Sequence, residues 1–175
     1  MTSIRPTKDR FKKSYATVDV ESPGAITIPK HFRNNGYYAV SIGKIMHTVD
    51  DIVDHWDEAP WMPDKINYFN KDNLDIISKH NLKYALPYEI SEADDSQQFD
   101  YQSATRAIDK MAALSKKDKP FFLAVGFTRP HLPFSVPKKY WDMYPEQSIT
   151  LPNNYFNPRN VPKQAIHTNG EMKMY

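Results

Sequence analysis

The chain has 175 residues, enough for one domain with a real core, because at this length about 70% of the unfolded surface is buried on folding. Lys and Arg number 23 against 21 Asp and Glu, a net charge of only +2. The charges are interspersed, so composition indicates neither a nucleic-acid interface nor a membrane-surface patch. The absence of cysteine excludes disulfides, thiolate metal sites and a cysteine nucleophile within these residues.

The opening stretch, MTSIRPTKDRFKKS, has no apolar run of the kind that a signal peptide needs. No window of the sequence approaches the length of a membrane span either. The sequence therefore predicts neither a signal peptide nor a membrane anchor in this chain, which with these features alone would stay in the cytoplasm.

The first regular elements are predicted after residues 1–24, which are polar and indicate a connecting segment. A helix is expected to begin at Thr27, because threonine caps the first amides, and to end near Gly36. The aromatic and β-branched run at residues 37–42 then predicts a strand that ends at Gly43. Helix, tight turn and strand together indicate half of an α/β unit.

Residues 48–99 are the least regular part, with tryptophans and prolines among many acids and amides. Long loops of this kind are functional or disordered, and the aromatic content argues against disorder, so we expect a substrate-facing insertion. The acid pairs Asp50-Asp51 and Asp94-Asp95 lack further ligands, and solvated loop charges are their more common role. His55 beside Trp56 fits a substrate pocket or, more commonly, a packed loop.

A second helix and strand follow the same α/β order. Residues 100–115 carry apolar side chains at helical spacing, which predicts one buried stripe. The stripe consists of Ala104, Ala107, Ile108, Met111 and Leu114. The unbroken apolar run at 121–125 predicts a parallel strand covered on both faces. A short helix is expected over 138–144, and the chain from 145 onward should be mostly loop.

The two predicted strands end in similar sequences, Gly43-Lys44-Ile45-Met46-His47 and Gly126-Phe127-Thr128-Arg129-Pro130-His131. In open α/β sheets, ligands bind beyond the carboxyl ends of the strands. If both strands lie parallel in one sheet, the lysine, the arginine and the two histidines converge on one pocket. That pocket would suit an oxyanion such as sulfate or phosphate, with imidazole available for proton transfer. The prolines on both sides of His131 restrict the loop that holds it.

These residues also have ordinary structural interpretations. A lysine after a strand is usually just exposed, and a histidine in a proline-rich loop is often a turn residue or a hydrogen-bonded spacer. Two similar strand ends together favour a functional pocket. The other histidines, His31, His80 and His167, are expected at the surface.

Three stretches, TIPKHFRNNGYYAVSIGKIMH, HWDEAPW and KPFFLAVGFTRPHLPFSVPKKYWDMYP, together resemble the iduronate 2-sulfatase branch of the type I sulfatases. The resemblance runs from MTSIRPT, which is similar to the family's Leu-Thr-Gly-x-Arg-Pro segment, to about Pro158. It implies an α/β fold, part of an alkaline-phosphatase-like α/β/α sandwich with a mixed, mostly parallel sheet. Residues 1–175 would form a single partial catalytic domain.

The resemblance also implies roles for the strand-end residues in sulfate-ester hydrolysis. The family's Gly-Lys-x-x-His motif, whose lysine and histidine contact the sulfate and the formylglycine nucleophile, matches Lys44 and His47. The histidine of its Lys-Pro-His-x-Pro-Phe motif contacts the sulfate and the leaving oxygen, and it matches His131. Arg129 replaces the family's lysine, which keeps a cation of different shape. Lys44, His47 and His131 are thus the expected catalytic residues, and Lys44, Arg129 and His131 bind substrate.

Other parts of the family's site do not occur in this sequence. Formylglycine arises from Cys or Ser in a Cys/Ser-x-Pro-x-Arg motif, expected just upstream of Arg5-Pro6, and no such motif occurs. The two N-terminal calcium-binding aspartates and the later Asp-His or Asp-Asn pair are missing too. We therefore expect an internal fragment of a sulfatase, with formylglycine and calcium in the full-length parent, no metal ligands here and no turnover by the chain alone.

Two other functions stay open on the sequence. A cationic oxyanion pocket also fits a phosphatase or phosphodiesterase of the same superfamily, and a degenerate module that binds sulfated glycans without cleaving them is the non-enzymatic alternative. The expected partner is a sulfate ester on a sulfated sugar or polysaccharide such as a glycosaminoglycan, with neither nucleic acid nor membrane. The parent would be periplasmic, extracellular or lysosomal.

Overall fold

The computed structural model describes residues 1–13, 15–48, 50–167 and 170–175. Its α-helices and β-strands alternate along much of the chain and are mixed α/β in class. In chain order they are α1 (Val18–Glu21), α2 (Ile28–Asn34), β1 (Tyr38–Gly43), α3 (Lys71–His80), β2 (Tyr88–Ser91), α4 (Phe99–Leu114), β3 (Phe121–Gly126), β4 (Phe134–Pro137) and α5 (Lys138–Trp141). None of the helices in the described part of the chain has the length and apolar character needed to cross a bilayer.

The chain divides into two compact units, each made of two segments. The first unit contains Met1–Lys65 and Ser96–Thr128, and the second contains Ile66–Asp95 and Arg129–Tyr175. β1 and β3 pair within the first unit, while β2 and β4 pair within the second.

The sheet of the first unit is built on β1 and β3, which run parallel and in register from Tyr38 opposite Phe121 to Gly43 opposite Gly126. This confirms the prediction that the two strands lie parallel in one sheet and end together. Helix α2 precedes β1 and begins as expected, since the Thr27 hydroxyl accepts a hydrogen bond from the Lys30 amide at 3.3 Å.

The other edge of β1 is covered by residues 57–61, which the sequence did not indicate as a strand. The Asp57 amide donates to the carbonyl of Ala39 at 2.9 Å, the Trp61 amide donates to Ser41, and the Gly43 amide donates to Trp61. The Asp57 carboxylate also accepts from the Ala39 amide at 2.7 Å. β1 is therefore an interior strand with hydrogen bonds on both edges.

The core of the first unit occupies both faces of β1, as the alternation of side chains along a strand requires. On one face Val40 and Ile42 pack with Ala107 and Leu114 of α4. On the other, Ala39 belongs to a cluster with Val18, Ile52 and Trp56. These layers confirm the α/β expectation for this part of the chain.

The predicted stripe on α4 was partly wrong. Ala107 and Leu114 are buried, but Ile108 and Met111 are 62% and 50% exposed. The face toward β1 is instead completed by buried Ser103, one helical turn before Ala107. β3 is covered on both faces as expected, since alternate side chains pack against the two clusters that flank β1, although the strand is mostly half-buried and pairs with β1 alone among the described strands.

In the second unit β2 and β4 run parallel, from Tyr88 opposite Phe134 to Ser91 opposite Pro137. Neither strand was predicted, and neither was α3. The buried Glu89 carboxylate on β2 joins these elements, since it accepts from the amides of Phe69 and Asn70, from the Asn73 side chain and from the Ser135 hydroxyl. The expected helix after Pro137 begins at Lys138 but is shorter than predicted, and the described part of the tail consists of loops and 3-10 turns.

Candidate functional site

The ends of β1 and β3 are held together by their two glycines. Gly43 has φ +73°, and a Cβ there would overlap the carbonyl oxygen of Gly126. A Cβ on Gly126 would in turn overlap the carbonyl oxygen of Lys44. The backbone amide of Lys44 donates a hydrogen bond to the carbonyl oxygen of Gly126 at 2.9 Å. Only glycine fits these two positions, and the pair directs residues 44–47 out beyond the carboxyl end of the sheet.

Lys44 is half-buried at the start of this loop. Its ammonium donates to the carbonyls of Met46 at 3.3 Å and His47 at 3.5 Å. These contacts hold the cation over its own loop, close to the strand end. An anion that approached here would meet a positive charge attached to a fixed backbone.

His47 is exposed and contributes to the wall of a cavity of about 230 Å³. The same cavity is also lined by Ile4, Pro6 and Phe11 from the first segment of the chain. The segment around Arg5-Pro6 thus lies against the Gly-Lys-x-x-His loop in the first unit.

The loop that carries His131 belongs to the second unit and is organised by its own side chains. The Arg129 guanidinium donates to the carbonyl of His131 at 3.2 Å and to that of Pro133 at 2.6 Å. Nδ1 of His131 lies 2.7 Å from the carbonyl oxygen of Leu132. Three consecutive carbonyl oxygens therefore accept hydrogen bonds from within the loop, and buried Leu132 and Pro133 anchor it.

The remaining ring nitrogen of His131 faces a carboxylate from the chain's last turn. Nε2 lies 3.3 Å from Oε1 of Glu171, and both side chains are partly exposed. Sequence reasoning did not find Glu171, because it lies 40 residues after His131 in a segment with no motif around it.

The predicted site residues are thus placed in two groups. Lys44 and His47 follow β1 in the first unit, and Arg129 and His131 lie in the second. In each group a cationic side chain donates hydrogen bonds to carbonyls of the loop that also carries the histidine. The convergence of all four side chains on one pocket stays a prediction.

His55, the histidine with two possible roles, is packed rather than placed in a pocket. Its Nδ1 lies 2.9 Å from the Thr27 hydroxyl, and its Nε2 lies 3.5 Å from Asp19. Burial lowers the pKa of His55 below its usual value, an effect that Asp19 opposes and that Lys30 strengthens. Thr27 and His55 are both buried, so a substrate cannot reach them. Their hydrogen bond therefore has a structural role.

One of the acidic loop residues differs from its predicted solvated state. Asp51 is buried and accepts a hydrogen bond from the Val18 amide at 2.9 Å, at the start of α1. Loop acids are drawn inside when they satisfy a backbone donor that has no partner within its helix. Asp95 pairs with Lys139 and accepts from the Tyr140 hydroxyl.

The predicted surface positions of the other histidines are confirmed, since His31, His80 and His167 are exposed.

The described residues do not fit the calcium site that the sulfatase resemblance implies. Among them, no three side chains of the His, Asp or Glu type come together in a way that could hold a metal ion. A calcium site of the usual kind takes six or more oxygen ligands, several of them carboxylates. No catalytic step is therefore assigned to a metal in this chain.

Comparison with known proteins shows similarity along almost the whole chain. The iduronate 2-sulfatases of Mus musculus and Homo sapiens are 31% and 30% identical over 174 residues, 95% of this chain and 32% of each relative. A choline-sulfatase from Rhizobium meliloti (strain 1021) is 27% identical over 82% of this chain. No family model matches the chain.

The chain spans about a third of the length of the curated relatives it matches. The matches also include an ulvan-active sulfatase from Formosa agariphila, 31% identical over 70% of this chain. All of these relatives are sulfatases by name, although their substrates differ. These similarities support a sulfatase family for the chain, with a branch like that of the iduronate 2-sulfatases.

Proposed function

We propose that this chain carries the sulfate-binding and proton-transferring part of a sulfuric ester hydrolase. The observation that carries the proposal is the glycine-locked end of β1 and β3, from which Lys44 and His47 project. A half-buried cation and an imidazole on a rigid loop form a prepared environment for a sulfuryl group, and prepared charges act most strongly where negative charge develops.

Each residue has a role that follows from its chemistry. Lys44 stabilises charge on the sulfuryl oxygens, and its loss should cost about a hundredfold or more in rate. His47 orients the attacking hydroxyl or accepts its proton, and His131 donates a proton to the leaving oxygen. Arg129 adds positive charge and fixes the loop that carries His131. These roles are proposed for each loop separately, with Lys44 and His47 in the first unit and Arg129 and His131 in the second.

The nucleophile has to come from elsewhere, because the sequence contains neither cysteine nor a Ser-x-Pro-x-Arg motif. In sulfatases that group is formylglycine, which would supply the hydroxyl that attacks sulfur. We therefore propose that the 175-residue chain alone binds sulfate esters without turning them over, and that the parent enzyme also supplies the calcium site.

The names of the relatives support a substrate class for the proposal. Iduronate 2-sulfatase and the ulvan-active sulfatase are named for sulfated sugars, and they match 95% and 70% of this chain. Choline-sulfatase, which is named for a small alcohol, matches 82% of this chain. A sulfate on a sugar or polysaccharide is therefore the proposed substrate.

The test measures sulfate release from a sulfated disaccharide and from an aryl sulfate. The protein assayed is the product of the complete reading frame that encodes this chain. Turnover of the sulfated disaccharide should fall by about a hundredfold or more in the Lys44→Ala and His131→Ala variants and stay unchanged in Lys116→Ala, which removes an exposed lysine beyond α4. A faster reaction on the matching phosphate esters would contradict the proposal and favour a phosphatase.

The 175-residue chain itself provides the second arm of this test. It should release no sulfate above the level of its own Lys44→Ala variant. Sulfate release that depends on Lys44 in this chain would show that a nucleophile exists within it, and the division of roles proposed above would be wrong.

A further inference from the structure

The two contacts of the His131 ring set the number of protons that the ring carries. Nδ1 lies 2.7 Å from the carbonyl oxygen of Leu132, and a carbonyl oxygen only accepts. Nδ1 must therefore carry a hydrogen. Nε2 lies 3.3 Å from Oε1 of Glu171, and an ionised carboxylate also only accepts.

A neutral imidazole has one donor nitrogen and one acceptor nitrogen. With Nδ1 fixed as the donor, the neutral ring would direct the lone pair of Nε2 at the carboxylate of Glu171, which is repulsive. The imidazolium form donates from both nitrogens and satisfies both acceptors. The contacts around His131 are therefore complementary to the doubly protonated ring.

We propose that Glu171 is a positioning residue that keeps His131 loaded with the proton it gives to the leaving oxygen. The inference rests on the proposed function, because it assigns a partner to the acid of that reaction. Glu171 lies 40 residues from His131 in sequence, and neither the motif around His131 nor the strand-end pattern indicates it. Leu132 fixes the ring's direction, and Glu171 holds the hydrogen on the outward nitrogen.

The proton transfer balances within this arrangement. When the sulfate ester breaks, the S–O bond electrons go to the leaving oxygen, and the Nε2–H hydrogen moves to that oxygen. The ring is left neutral, with Nδ1 still donating to Leu132. Substrate must take the place of Glu171 at Nε2 for this step, so the carboxylate holds the proton in the free protein and gives way to the leaving oxygen.

The surrounding charges show why a carboxylate is needed. Arg129 donates to the backbone carbonyl of His131 and so brings a second cation within the same loop. Glu171 supplies the opposite charge on the other side of the ring.

The first test is the nitrogen-15 spectrum of His131 in the 175-residue chain at neutral pH. We expect both ring nitrogens to resonate as protonated in the wild type. In Glu171→Gln a larger share of rings should be neutral with the hydrogen on Nδ1, and Glu171→Asp should restore part of the charged form. Glu146→Gln, which changes an exposed glutamate in the same unit, should leave the spectrum unchanged.

The second test separates this role from a purely structural one by changing the leaving group. In the complete reading frame product, Glu171→Gln should lower kcat/KM about tenfold for a sugar sulfate, a part of the hundredfold or more that a general acid contributes. It should have little effect on an aryl sulfate, whose leaving phenolate needs no proton. Equal losses on both substrates would overturn the proposal, as would a His131 ring that is neutral in the wild type or unchanged in Glu171→Gln.

These outcomes are distinguishable from a failure of the proposed function. If the Glu171 dependence of the ring spectrum is seen while Lys44→Ala leaves sulfate release intact, the histidine pairing stands and the role of the strand-end lysine falls. If Lys44 is needed and the ring spectrum ignores Glu171, the sulfatase function stands and the positioning role is wrong.

Discussion

Gly43 lies directly opposite Gly126 where the parallel strands β1 and β3 end, and a side chain at either position would overlap the neighbouring backbone. This contact determines how the Gly-Lys-x-x-His loop leaves the sheet. The two glycines therefore link the packing of the first unit to the position of Lys44.

We expect Gly126→Ala and Gly43→Ala to lower the free energy of unfolding by more than about 3 kcal/mol, because backbone atoms cannot move aside as a side chain can. Urea denaturation measures the change. Gly36→Ala is the matched control, since Gly36 also has positive φ, +85°, but open space around it. It should cost only about 1–2 kcal/mol of backbone strain. Equal costs at Gly36 and Gly43 would show that steric overlap contributes nothing.

Glu89 is the second position where one side chain holds several segments together. Its buried carboxylate accepts four hydrogen bonds, from two backbone amides and from the side chains of Asn73 and Ser135. Glu89→Ala should destabilise the chain by about 3 kcal/mol or more, because each donor left without a partner costs about 1–3 kcal/mol.

The exposed Glu92 on the same stretch provides the control for Glu89. Glu92→Ala should stay within about 0.5 kcal/mol of the wild type, as surface substitutions usually do. The free energies of unfolding from urea curves decide the matter. A Glu89→Ala variant as stable as Glu92→Ala would mean that the four donors find other partners.

His55 gives the chain a pH-dependent stability. Burial lowers its pKa below the usual value of 6.5, so near and just below that pH the unfolded state binds more protons than the folded state. The free energy of unfolding should therefore fall as the pH drops below about 6.5, with a slope of at most about 1.4 kcal/mol per pH unit from this group.

Thermal or urea unfolding between neutral pH and pH 5 measures this slope. His55→Gln, which removes the titrating ring, should flatten the curve in this range. His31→Gln should leave it unchanged, because His31 is exposed. A slope that is the same in wild type and His55→Gln would assign the pH dependence to other groups.

The elements predicted correctly are those whose signals are local. Thr27 begins α2 as a cap, and the apolar runs of β1 and β3 end at their glycines as expected. The pairing of β2 with β4 depends instead on Glu89, whose partners lie up to 46 residues away in sequence. Strands of four residues held by one buried carboxylate leave no periodic pattern in the sequence.

The candidate site shows the same division. Lys44, His47, Arg129 and His131 were indicated by the motifs that follow the two strands, and the structure places each of them in a loop of defined hydrogen bonds. Glu171 and the residues that run beside β1, 57–61, were missed. Their contacts join segments distant in sequence, and no local spacing encodes them.

The central claim is that the strand-end cations bind a sulfate ester, and the most direct measurement is a calorimetric titration of the 175-residue chain with a sulfated disaccharide. We predict saturable binding in the wild type and in Lys116→Ala. Binding should be at least about tenfold weaker in Lys44→Ala, because one charge-assisted contact to an oxyanion is worth about 1.5–3 kcal/mol. Equal affinity in all three proteins, or no difference between the sulfated disaccharide and its desulfated form, would contradict it.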